Sequence, residues 1–227
     1  MYNQYDDHVE SHERSVRALL YQVFGWLAFA VGVSGVTAYL ASGIPALQTL
    51  PVVLIMFAIQ LGIIFALGRS LATLSTTTVQ ALYIAYAITT GLMLSGIFTV
   101  YALGSVAQIF FASSAMFAGM ALYGFYTERD LARYSSLLYM TLWGIIVTMF
   151  INFFIGSRGF DLIISIVGVL VFSALIAVNI QQIRILAAHL IERNETWYKS
   201  AMICALQLYL GFINLFLMML RLFGRRD

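Results

Sequence analysis

From Ala18 to Thr127 this sequence carries one charged side chain, Arg69. A soluble domain draws about a quarter of its residues from Asp, Glu, Lys and Arg, and it needs them to cover its surface. Here the whole chain is 10% charged, with 12 basic and 10 acidic residues. Hydrophobic residues make up 62% of 227, or about 141. A helix needs roughly 20 apolar residues to cross a bilayer, so seven helices would absorb nearly all of them. Soluble globular and disordered chains are excluded. A net charge of +2 with no basic face also leaves nucleic acid without a partner surface. The chain reads as an all-α, polytopic membrane protein with membrane lipid as its first partner.

Seven apolar stretches are expected to span, at about 19–41, 51–68, 79–101, 106–126, 135–156, 161–183 and 200–222. They are continuous rather than alternating, so they are helices and not barrel strands. Residues 1–18 form a polar tail, 19–223 the transmembrane domain and 224–227 a short basic tail. The first segment is acidic and lacks the basic start of a secretory signal. Pro45 and Pro51 both fall in the first loop, so the helices are expected to run straight.

Basic residues suggest an orientation. The N-terminal side holds Arg14, Arg17, Arg69, Arg129, Arg133, Arg184, Arg193 and Lys199, eight in all. The opposite side holds Arg158, Arg221, Arg225 and Arg226, four in all. This asymmetry places the N terminus in the cytoplasm. A re-entrant last segment would move the tail arginines across, and the count alone does not decide that point. R-x-L-A recurs at Arg69, Arg129 and Arg184, at separations of 60 and 55 residues, as hairpin repeats would leave it.

Catalytic chemistry finds little support. His8 and His12 lie in the tail and His189 in a loop, and no HExxH occurs. The carboxylates flank spans or lie in tails, and the sole lysine, Lys199, stands at the mouth of the last helix. No enzyme, metal site or cofactor is expected. Cys204 is the only cysteine, a small apolar residue for a helix interface. Ala30, Ser34, Ala38 and Ser42 form a small-residue stripe that admits another backbone, and Gly32, Gly35, Gly91, Gly96 and Gly119 suggest similar contacts.

At membrane depth the polar residues are neutral. Gln207, Gly211 and Asn214 share a face of the seventh helix, and Asn179 and Gln182 share one of the sixth. Amides are costly against lipid, so both stripes are expected to point inward, as interhelical glue or as the lining of an ion path. Arg69, at the inner end of helix two, is the one charge that could reach them.

Several segments carry a resemblance. LQLYLGFINLFLMMLRLFGRRD (Leu206 to Asp227) resembles the closing signature of the Bax inhibitor-1 family, bacterial branch. ALYGFYTERDL (Ala121 to Leu131), FALGRSL (Phe65 to Leu71) and LIAVNIQQIR (Leu175 to Arg184) are similar to its other motifs. The resemblance implies seven helices with the seventh surrounded by the other six, and a leak for calcium or another cation, gated by pH. It also implies a gate of two aspartates that share a proton and engage an arginine. Those positions fall on Asn179, Gly211 and Arg69, so both acids are replaced. An amide cannot titrate and glycine offers no side chain, so conductance is expected to be weak and insensitive to pH. The alternative is a non-conducting regulator that binds other membrane proteins, in stress response or proteolytic quality control. By the same resemblance the protein belongs in a bacterial inner membrane.

Overall fold

A computed structural model describes residues 2–68, 73–190 and 194–226, with side chains from Arg14 onward. Among the described residues, seven helices are long and apolar enough to cross a membrane. They are α1 (Tyr2–Ala41), α2 (Leu50–Gly68), α3 (Thr76–Leu94), α4 (Leu103–Tyr126), α5 (Ser135–Ile155), α6 (Arg158–His189) and α7 (Glu195–Phe223). α1 starts at Tyr2, so the polar first segment is itself helical. α7 is unbroken and holds 29 residues, about 43 Å at a rise of ~1.5 Å per residue, which exceeds a bilayer core of about 30 Å. It therefore has the length of a full span.

Burial sorts the helices. In the apolar window of α7 72% of residues are buried and in that of α6 67%, against 11% for α5. α7 is thus the most enclosed span and α5 the most open.

Two expectations about helix ends are corrected. Pro51 lies in the first turn of α2 rather than in the loop, where a missing N–H costs nothing because that donor has no partner within the helix. Pro45 opens a short 3₁₀ turn, Pro45–Gln48. The third span is interrupted, although it has no proline. The Ser95 backbone N–H and hydroxyl both bond the carbonyl of Leu92, at 3.3 and 2.7 Å. That closes the helix three residues back, Gly96 follows, and one further turn, Ile97–Val100, completes the span.

The chain divides into two compact units. One holds the residues up to Val100 together with Ile183–Tyr209. Its small-residue stripe is buried at Ala30, Ser34 and Ala38, and α3 seats Gly91 on it. A Cβ at Gly91 would stand 2.6 Å from the carbonyl oxygen of Ser34. The Ser34 hydroxyl lies 2.8 Å from the Ala30 carbonyl, 2.7 Å from that of Ala87 and 2.5 Å from the Tyr209 hydroxyl. Gln60 donates to Thr90 at 2.9 Å, and Tyr83 to the carbonyl of Trp26 at 2.9 Å. Gly32, Gly35 and Gly119 meet nothing within 4 Å, and Gly96 meets only the Gln48 side chain at 3.8 Å. Of the five glycines expected at close contacts, only Gly91 makes one, because the others face away from neighbouring backbone.

The other unit holds Tyr101–Gln182 and the chain from Leu210 on. Phe110, Phe117, Phe212 and Phe216 pack edge to face, with centroids 5.6–6.1 Å apart. Gly124 of α4 rests on the backbone of Ala177 in α6, and Gly168 on Met218. The last residues do not form a loose tail. Ala102 donates to the carbonyl of Arg225 at 3.1 Å, and Arg225 to the Ser105 hydroxyl at 2.9 Å.

The R-x-L-A recurrence does not mark equivalent places. Arg129 lies in the loop after α4, Arg184 lies inside α6, and Arg69 is outside the described residues. The shared letters reflect different local structures.

Candidate polar site on the sixth and seventh helices

The two helices were expected to present their amides inward, and they do so selectively. Asn179 is buried, and its Oδ1 has no hydrogen-bond partner among the described residues. An unsatisfied buried acceptor costs about 1–3 kcal/mol, so this oxygen stands out among the buried side-chain polar atoms of the described residues, which are otherwise paired. Gly211 is buried as well, and its Cα faces Ile176: an added Cβ would lie 3.2 Å from Ile176 Cγ1. Ile176 precedes Asn179 by three residues, so the two share a face of α6. Gly211 thus packs on Ile176, one turn of α6 before Asn179, and Asn179 itself does not come within 4 Å of a Cβ at Gly211.

The remaining candidates fall elsewhere. Gln207 is exposed, because the buried face of α7 passes through Cys204, Leu208, Gly211 and Leu215 and leaves position 207 on the outside. Asn214 is half-buried and donates its amide to the Leu210 carbonyl of its own helix at 2.8 Å. That local bond removes the need for a partner across the interface. Gln182 is half-buried, and its Nε2 is 3.5 Å from the Ser135 hydroxyl, too long for a strong bond. Arg69 is outside the described residues.

Sequence reasoning passed over Gln181. Its Nε2 donates to the carbonyl of Arg129 at 2.8 Å, and its Oε1 accepts from the N–H of Leu131 at 2.8 Å. This buried amide clamps the α4–α5 loop to α6. Two adjacent glutamines read alike in sequence, and only the rotation of α6 assigns the clamp to Gln181 and the half-exposed place to Gln182.

Chemically, the pair at Asn179 and Gly211 offers one neutral carbonyl oxygen and no titrating group. Residues 16–227 match the family described as Inhibitor of apoptosis-promoting Bax1. The chain belongs to the Bax inhibitor-1 family. Like the expected members, it is a multi-pass membrane protein. It is 37% identical to an uncharacterized protein of Borreliella burgdorferi, with 91% of each chain covered. It is 33% identical to inner membrane protein YbhL of Escherichia coli, with 97% of each covered. A Rickettsia prowazekii protein, RP147, is 32% identical over 96% of this chain and 93% of its own. The Bax inhibitor-1 match takes in both the segment from Leu175 to Arg184 and the closing run from Leu206.

Proposed function

We propose that the protein is a cation-leak member of the Bax inhibitor-1 family whose proton-sensing site is silent. Its conductance is then weak and does not change between about pH 6 and 8. The observation that carries this reading is the buried, unpaired Oδ1 of Asn179 on the α6 face that meets Gly211. Two carboxylates in such a site would repel each other, hold one proton between them and titrate near neutrality. An amide has no proton to release. Its oxygen can accept from water or contact a cation, but it lacks the charge that a hard ion such as calcium favours. Arg69, the arginine of the pair by resemblance, has no acid to engage at either position.

The Escherichia coli relative named as an inner membrane protein supports placing this chain in an inner membrane. The eight-to-four division of basic residues supports a cytoplasmic N terminus, with the C terminus across the membrane after seven spans.

Reconstitution in liposomes, with calcium and potassium flux followed across pH, tests the reading. A small flux of constant size is expected, and a steep pH dependence would overturn it. The seating of Ile176 against Gly211 favours a second reading, a non-conducting regulator that binds other membrane proteins. Complete absence of flux for every cation, with membrane proteins recovered on affinity purification, would select that one.

A further inference from the structure

The second unit contains a cavity of about 750 Å³ that the polar site does not use. Its floor is built by the α5–α6 turn. α5 stops at Gly156, whose φ of 67° is left-handed and whose N–H bonds the carbonyl of Asn152 at 2.7 Å. The Asn152 side chain then fastens the turn. Its Oδ1 accepts from the Ser157 N–H at 3.0 Å, and its Nδ2 donates to Asp161 Oδ1 at 2.7 Å. Ser165, also buried, donates to the Asp161 carbonyl at 2.7 Å. The opposite wall comes from the end of α7. Arg226 pairs backbone to backbone with Tyr101 and lays its guanidinium 5.8 Å from the Tyr101 ring centroid.

Three arginines line this space, Arg158, Arg221 and Arg226, against one acidic residue, Asp161. Asp161 has one oxygen committed to Asn152, and none of the three arginines forms an ion pair among the described residues. Three cations against a single carboxylate leave the space with an excess of positive charge, and an anion between them lowers that repulsion. Guanidinium forks match phosphate oxygens in shape as well as charge. Beside the charged groups the wall is apolar, with Phe153 and Leu162 largely exposed on spanning helices. A free anion has no use for such a wall, whereas an acyl chain does.

We propose that this cavity binds a phosphate group, carried by the headgroup of an anionic glycerophospholipid whose chains lie along Phe153 and Leu162. The arginines hold the phosphate, and Asn152 and Ser165 keep the floor rigid beneath it. The volume falls within the usual range of ligand sites, about 300–1,000 Å³. Positive charge here lies on the side of the membrane with fewer basic residues, so charge-based orientation does not explain it.

The test uses the full-length protein in neutral detergent, with thermal stabilisation and native mass spectrometry as readouts. Probes are phosphatidylglycerol, phosphatidylcholine and inorganic phosphate. Phosphatidylglycerol is expected to be retained and to stabilise at about tenfold lower concentration than either other probe. The R158Q/R221Q variant should lose about tenfold or more of that affinity. Both side chains are exposed and make no hydrogen bond among the described residues, so the fold does not depend on them. R225Q removes a neighbouring charge that does not line the cavity, and it should bind within about twofold of the native chain. Equal stabilisation by inorganic phosphate would make this a free-anion site and overturn the lipid assignment. Equal retention of phosphatidylcholine, unchanged binding in R158Q/R221Q, or an equal loss in R225Q would overturn the site itself.

Discussion

Ile176 of α6 occupies the space that a side chain on Gly211 of α7 would enter, with Cγ1 3.2 Å from an ideal Cβ. On the function proposed above, an apolar side chain packs against the position where one acid of the gate would stand. Introducing two carboxylates as N179D/G211D should overpack this contact. We expect a loss of stability of about 1–3 kcal/mol, read as a lower melting temperature in detergent. Adding I176A should relieve it, and pH-dependent calcium flux should appear only in that triple variant. Flux in the double variant at native stability would show that Ile176 yields freely.

Gln181 makes two bonds that hold the α4–α5 loop, to Arg129 and Leu131. In Q181L the buried N–H of Leu131 loses its acceptor, at a cost of about 1–3 kcal/mol. Faster proteolysis between Thr127 and Tyr134 is the expected signature. Q182L, which removes only a long contact, should leave the cleavage rate unchanged.

Small residues at two helix crossings should not tolerate even a methyl group. G124A would drive a Cβ into the backbone of Ala177, and G91A would place one 2.6 Å from the Ser34 carbonyl. Backbone cannot swing aside as a side-chain tip can, so each should lower stability by roughly 1–3 kcal/mol. G119A is the contrast. Nothing lies within 4 Å of it, and the gain in helix propensity makes it neutral or slightly stabilising by up to about 1 kcal/mol.

Ser34 has one hydroxyl hydrogen and two carbonyls beside it, so the Tyr209 hydroxyl must supply the hydrogen of their shared bond. S34A takes that acceptor from a buried donor and should cost about 1–3 kcal/mol, while Y209F removes the donor as well and should cost less. In a double-mutant cycle read by thermal unfolding, S34A/Y209F should fall short of the sum of the single changes. Strict additivity would show that the bond contributes nothing.

Sequence alone determined the architecture, because apolar runs of spanning length leave the backbone no choice but to bond within itself. The seven spans fall in the expected order and places, although α1 begins at Tyr2 rather than near residue 19 and α6 runs on to His189 rather than ending near 183, and the motifs around Asn179 and Gly211 announced the family. Tertiary structure decided what depends on helix rotation and on contacts far apart in the chain. A shift of one residue turns a side chain by about 100°, and that turn separates buried Gln181 from half-exposed Gln182. It also sends Gln207 outward, where periodicity alone had grouped it with Gly211. The arginine-lined cavity was beyond the sequence for the same reason. Arg158 and Arg221 are 63 positions apart, and only the packing of the second unit sets them around one space.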